Sequence, residues 1–295
     1  MKDLGRLITA MVTPFKDNGD VDFDRAKEFA LELVRTGSDG LLIGGTTGES
    51  PSMSEDEKLN LFKSVKDAVK DTANVIAGTT DNNTIASVDL SKKAEKLGVD
   101  AILLTVPAYN KPTQEGLYRH FKKISESVSI PGILYNVPSR TSLNMDTDTT
   151  LRLANIDNIV GVKEASSDPD QITNIISEAP EDFKVWSGND NETFSIMSTG
   201  GHGVVSVASN IIGTQVKKMM GYILDGQTEL AANEHKRLLL FFTSIFWVTN
   251  PIPIRYALNR SGFYIGPPRL PMVEAPEDFK KKFDPVMDSY KMDIS

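Results

Sequence analysis

The sequence has no cysteine in its 295 residues. Structural disulfides, thiolate zinc sites, iron–sulfur clusters and cysteine nucleophiles are therefore excluded. Histidine is scarce too. His120, His202 and His235 show no HxH or HxxxH spacing, and the acidic residues form no ligand motif, so no metal is expected. No apolar run reaches the roughly 18 residues of a membrane span. The opening Met1-Lys2-Asp3-Leu4-Gly5 lacks the apolar core of a signal peptide, so the cytoplasm is the expected setting. Positive charge is in deficit: 32 Lys and Arg face 40 Asp and Glu, a formal net charge of −8. An acidic surface repels phosphate backbones, so nucleic acid is not an expected partner. The G-x-S-x-G elbow, the Walker loop and the G-x-G-x-x-G fingerprint are all missing.

What is present is an alternation. Short apolar runs read as strands at Leu7 to Val12, Leu41 to Ile43, Val75 to Ala77, Ala101 to Val106, Gly132 to Asn136, Ile159 to Glu164, Phe183 to Ser187 and Gly203 to Val207. Helix-length segments separate them. One runs from Asp24 to Thr36 and stops at Gly37; another starts at a Ser54/Glu57 capping box and runs to about Lys70; a third spans Thr84 to Leu97 and ends at Gly98; a fourth runs from Glu115 to Val128. Eight strands with crossover helices predict a parallel sheet closed into a (β/α)₈ TIM barrel, and the length suits one. From about Gln227 the strand pattern gives way to helical stretches at Glu229 to Val248, then up to Arg260, then Pro276 to Met292. The reading is a catalytic barrel over residues 1–225 and a helical C-terminal extension over 226–295 packed on it.

In such barrels the active site lies at the C-terminal ends of the strands. Lys163 sits there inside an apolar strand, where burial lowers an amine's pKa and prepares it for Schiff-base formation. Tyr135 closes the fifth strand and could relay protons. Thr46 and Thr47 occupy a Gly-rich turn whose N–H groups suit a carboxylate. Arg140, in a loop, suits bidentate capture of another carboxylate. Tyr109 follows the fourth strand. Each has a plainer reading by itself: a solvated lysine or one paired with Glu164, a core tyrosine, an ordinary turn, a surface arginine, an exposed loop aromatic.

The segments together change that balance. Thr9-Ala10-Met11-Val12-Thr13-Pro14-Phe15, Gly45-Thr46-Thr47-Gly48-Glu49-Ser50, Tyr109-Asn110-Lys111-Pro112, Tyr135-Asn136-Val137-Pro138-Ser139-Arg140-Thr141, Gly161-Val162-Lys163-Glu164-Ala165, Ser187-Gly188, Gly203-Val204-Val205-Ser206, Asn250-Pro251 and Arg269-Leu270-Pro271 occur in one order over nearly the whole chain. In this the chain resembles the pyruvate-dependent class I aldolase family, which contains dihydrodipicolinate synthase and N-acetylneuraminate lyase. The Thr46–Ser50 and Tyr135–Thr141 motifs resemble the dihydrodipicolinate synthase branch; sugar-acid aldolases generally lack the arginine at the position of Arg140. The resemblance implies a lyase joining pyruvate to aspartate semialdehyde in lysine and diaminopimelate biosynthesis, with no cofactor beyond the covalent imine. It implies Lys163 as the Schiff-base lysine, Tyr135 as the acid/base hydroxyl, and Thr46 linking it to Tyr109 from a neighbouring subunit. It also implies Thr47 on the pyruvate carboxylate, Arg140 on the semialdehyde carboxylate, and Gly188 and the Val205 carbonyl lining the pocket. A homo-oligomer follows, a tetramer of tight dimers being common in the family.

Two other functions stay open: a related aldolase taking a 2-keto-3-deoxy sugar acid, which Arg140 disfavours, and a non-catalytic small-molecule-binding barrel, which the joint presence of Lys163, Tyr135, Thr46 and Tyr109 disfavours. The chain also departs from its relatives. Ser50 and Asn82 match an inhibitory lysine site, but Ala86 and Ala108 replace its glutamate and stacking tyrosine, and Glu55 and Lys58 replace histidines. Weak or absent inhibition by lysine is the expectation.

Overall fold

The computed structural model describes residues 3–294. All eight expected strands form: β1 Leu7–Ala10, β2 Gly40–Ile43, β3 Asn74–Gly78, β4 Ala101–Thr105, β5 Gly132–Asn136, β6 Ile159–Glu164, β7 Lys184–Ser187 and β8 Gly203–Ser206. Each pairs in parallel with the next, and β8 pairs with β1 to close the barrel. Every sheet edge is thereby paired. The helices between strands start where the sequence supplies a side-chain acceptor for the first free N–H groups: Asp22, Asn83, Thr113, Asp146 and Asp168 each cap a helix, and Ser54 with Glu57 makes the reciprocal capping box.

Two apolar layers result. Leu41, Ile43 and Val75 face outward onto the helices with Phe29, Phe62 and Val65. Ile8, Leu42, Ile76, Leu103, Ile133, Trp186 and Val205 face inward and fill the barrel. The outward layer continues without a break into the C-terminal helices through Leu238, Phe241, Phe242, Ile254, Leu258 and Phe283. Those helices, Thr228–Ser244, Ile252–Arg260 and Glu277–Asp288, wrap the barrel rather than standing apart.

The first is shorter than expected. The helical pattern predicted over Glu229 to Val248 ends at Ser244. Phe246 N–H and Trp247 N–H donate to Thr243 O and Ser244 O in tight i→i+3 turns instead. Pro251 has no N–H and disfavours helical backbone at the residue before it, so the chain uses residues 245–251 as a turn.

One strand breaks strict alternation. Gly132 of β5 pairs with Ile159, but Ile133 pairs with Gly161, so Val160 is an extra residue in β6. Ile159 and Val162 pack outward, Val160 packs inward, and Lys163 returns to the interior. Simple alternation from Ile159 would have carried Lys163 inward only by placing Ile159 there too. Gly161 makes the bulge possible, because a Cβ there would lie 2.2 Å from Lys184 O and 2.6 Å from the Trp186 ring.

Candidate active site

Tyr135, Lys163 and Trp186 are register partners on β5, β6 and β7, so they stand side by side across the barrel wall. Lys163 is 5 % exposed, with Nζ 4.1 Å from the centroid of the Tyr135 ring. Burial, reinforced by the Arg140 charge, lowers its pKa to about 7, against an opposing pull from the buried Asp190. Burial drives the Tyr135 phenol the other way, up to about 12. At neutral pH a substantial share of the amine is thus neutral and available as a nucleophile, while the phenol keeps its proton. Glu164 is on the opposite face, where it accepts hydrogen bonds from Asn136 Nδ2 at 3.0 Å and Ser166 N at 2.8 Å. It is not a partner for Lys163.

Above these residues opens a cavity of about 480 Å³, lined by Thr46, Thr47, Tyr135, Arg140, Lys163 and Gly188, among others. Six of the residues singled out in the sequence therefore meet at one place, although they come from four strand ends. Four of them are held from behind. Thr46 and Thr47 lie in a turn tied by Gly48 N to Gly45 O and Glu49 N to Thr46 O. Thr47 Oγ1 accepts from Asn250 Nδ2 at 2.9 Å, and Arg140 Nη2 donates to Asn250 O at 3.4 Å. Gly188 must be glycine, since a Cβ would lie 2.6 Å from Ala165 Cβ and 2.9 Å from Glu164 O. The turn is anchored to the C-terminal helices by a buried ion pair, Arg255 Nη2 to Glu49 Oε1 at 2.7 Å.

Two other predicted residues lie elsewhere. Val205 is buried in the barrel interior beneath the cavity, and Val207 is the β8-side residue that lines it. Tyr109 is 92 % exposed, with φ 69°, and is not among the residues that line the cavity. Its loop is pinned by Ala108 N and Asn110 Nδ2, which donate to Asn82 Oδ1 and Asn82 O. Ser50, Asn82 and Ala108 line a second cavity of about 390 Å³, which shares Thr46, Val137 and Arg140 with the first. Ala86 lies on the exposed face of the helix Thr84–Lys96.

Several neighbours carried no role in the sequence reading. Asp190 is buried and accepts from Ser206 Oγ, Val207 N at 2.9 Å and Ala208 N at 3.0 Å; burial raises its pKa. Ser139, Asn189 and the turn Phe246–Asn250 complete the cavity wall. Ser206 and Asn250 stand within the motifs above, whereas Phe246 to Val248 are hidden by an apolar pattern that reads as helix. Among the described residues no group of three or more His, Asp or Glu is placed to hold a metal ion, and no helix is long and apolar enough to cross a membrane.

Fold and cavity together define a class: a (β/α)₈-barrel enzyme with a buried, readily neutralised amine lining the cavity at the C-terminal ends of its strands. The chain belongs to the dihydrodipicolinate synthetase family, whose sequence model matches residues 3–289. It is 52 % identical over 294 residues to the 4-hydroxy-tetrahydrodipicolinate synthase of Dehalococcoides mccartyi, covering 100 % of this chain and 99 % of that one. Among solved structures it superposes on dihydrodipicolinate synthase from Bacillus anthracis with a TM-score of 0.97 at 42 % identity, covering 99 % and 100 % of the two chains. The enzyme from Cyanidioschyzon merolae, solved with lysine bound, gives 0.95 at 40 % identity, covering 97 % and 98 %.

Proposed function

We propose that the protein is a lyase that condenses pyruvate with L-aspartate 4-semialdehyde to give 4-hydroxy-tetrahydrodipicolinate, in lysine and diaminopimelate biosynthesis. The observation that carries this reading is Lys163, buried against Tyr135 at the floor of the cavity with its pKa lowered to about 7. Full-length likeness to enzymes of that name supports the choice of substrates.

The neutral Lys163 amine adds to the pyruvate ketone, and loss of water leaves an imine. Protonated, the imine is the electron sink, so the chemistry calls for no separate cofactor. Loss of a methyl proton gives an enamine whose carbon attacks the aldehyde; the aldehyde oxygen takes up a proton. The amine of the semialdehyde then attacks the imine carbon and displaces Lys163, which closes the ring and frees the enzyme. Every step moves a proton, and a phenol that stays protonated is a ready donor. Tyr135 fills that role, with Thr46 connecting it to Tyr109 of the partner subunit. Thr47 holds the pyruvate carboxylate, Arg140 receives the semialdehyde carboxylate, and Gly188 and Val207 line the pocket beside them.

The 92 % exposure of Tyr109 supports a shared site. Ile85, Leu270 and Val273 are exposed apolar residues close in sequence to the rim of the second cavity, and a second copy would cover them. The assembly is a homo-oligomer, a tetramer built from tight dimers, in the cytoplasm. The extension 226–295 is part of the catalytic unit formed with the barrel 1–225, because its turn supplies cavity wall. Lysine binds weakly or not at all in the second cavity: Ala108 in its wall supplies no ring, and Ala86, on the exposed face of the helix Thr84–Lys96, supplies no charge. Half-inhibition of turnover below millimolar lysine contradicts that point.

The test is a coupled assay in which a reductase consumes NADPH as product forms, with glyceraldehyde and N-acetylmannosamine as competing aldehydes. NADPH loss should vanish in Lys163→Ala and fall sharply in Arg140→Ala. Pyruvate consumption with another aldehyde, and none with the semialdehyde, overturns the proposed substrate.

A further inference from the structure

Asn250 is 3 % exposed, lines the main cavity, and sits behind both groups assigned to carboxylates. Its Nδ2 donates to Thr47 Oγ1, and its main-chain oxygen accepts from Arg140 Nη2. A hydroxyl that accepts a hydrogen bond from one side keeps its own proton to donate elsewhere. The Thr47 hydroxyl proton therefore calls for a further acceptor, and a carboxylate in the cavity is one. The amide oxygen, Oδ1, is buried without a partner among the described residues. An asparagine kept only to hold the turn would normally have both ends satisfied, because an unmet buried acceptor is costly.

We propose that Asn250 is a positioning residue for the first substrate: its amide nitrogen sets the direction of the Thr47 hydroxyl, so that this hydroxyl donates to the pyruvate carboxylate. The claim rests on the role given to Thr47 above. The contact with Arg140 uses the main chain, so side-chain changes at 250 spare it. The two substrates should therefore respond differently.

Asn250→Asp tests this with almost no change of shape. A carboxylate at 250 accepts from Thr47, turns its proton away from the cavity and adds a like charge beside the pyruvate carboxylate. The pyruvate concentration needed for half-maximal borohydride inactivation should rise roughly 10- to 100-fold, the effect of losing a charge-assisted hydrogen bond. The KM for the semialdehyde should move about threefold at most. Thr47→Val should raise the pyruvate requirement by itself, and Asn250→Ser added to it should raise it no further, since the two act as one unit. Wild-type protein serves as the control on the underlying reading: if borohydride with pyruvate does not inactivate it, the imine is wrong irrespective of Asn250. If wild type is inactivated, either an unchanged pyruvate requirement in folded Asn250→Asp or additive effects of Thr47→Val and Asn250→Ser overturns the proposal. Should Asn250→Asp fail to fold, Asn250→Ser alone and in the Thr47→Val background decides the matter by the same additivity.

Discussion

Lys163 is a cation placed where a cation is expensive, and that expense has a sign. Its pKa is about 7 in the folded chain against an ordinary 10.5, so between those values the unfolded chain binds the extra proton. The folded state therefore bears the full penalty below pH 7 and sheds it as the pH rises toward 10.5. Lys163→Met should abolish activity and raise the melting temperature at pH 6, with the gain shrinking by pH 10. Thermal melts across that range check it, and a pH-independent change contradicts it. Catalysis should follow the same titration: pyruvate-dependent inactivation by borohydride should climb about tenfold between pH 6 and a plateau above pH 7 to 8. At this scale the sequence was informative because reactive side chains stood at predicted strand ends. It was silent about Asp190, a carboxylate whose partners, Ser206 Oγ and two backbone N–H groups, come from a different strand end. No local pattern marks such a contact.

Among the elements, β6 shows why parity is hard to read. Its six residues look like an ordinary buried strand, and buried parallel strands are apolar on both faces, so no alternation tells which residue points inward. The extra residue Val160 decides it, and only Gly161 fits the space beside Lys184 O. Gly161→Ala should push the bulge out of register and move the lysine. Backbone carbonyls do not yield as flexible side chains do, so stability should fall by about 1–3 kcal/mol or more. Displacing a reacting atom by about 1 Å can cost on the order of 100-fold in rate. Imine formation measured in Gly161→Ala alongside its melting curve checks both; near-wild-type trapping would mean that β6 absorbs the methyl group. The end of the helix Thr228–Ser244 is the second instance. Its apolar run continues past Ser244, and only the Asn250-Pro251 pair warned that the chain had to leave the helix before reaching it.

At the scale of the molecule, closure was the most legible feature, because eight strand–helix units admit few arrangements other than a barrel. The share of the cavity built by the extension was less so. Arg255, far along the chain, ties the Thr46–Ser50 turn through Glu49 while also donating to Thr13 O and Ile265 O. A site assembled over such sequence distances is invisible to periodicity. The same holds for assembly: Tyr109 has left-handed backbone and an exposed ring, and it lines neither of the two cavities described above. If it serves a neighbour, Tyr109→Phe and Lys163→Ala homo-oligomers should each be nearly inactive, yet mixing and reassembling them should restore part of the activity. Each mixed dimer then holds one intact site. Failure of mixed assemblies to regain activity contradicts a shared site.

The proposed chemistry stands or falls on covalent attachment of pyruvate to Lys163. The most direct measurement is peptide mapping by mass spectrometry after borohydride reduction in the presence of pyruvate. A reduced pyruvyl adduct is expected on the peptide carrying Lys163, absent without pyruvate and absent in Lys163→Met. An adduct on another lysine, or active protein left unmodified, contradicts it.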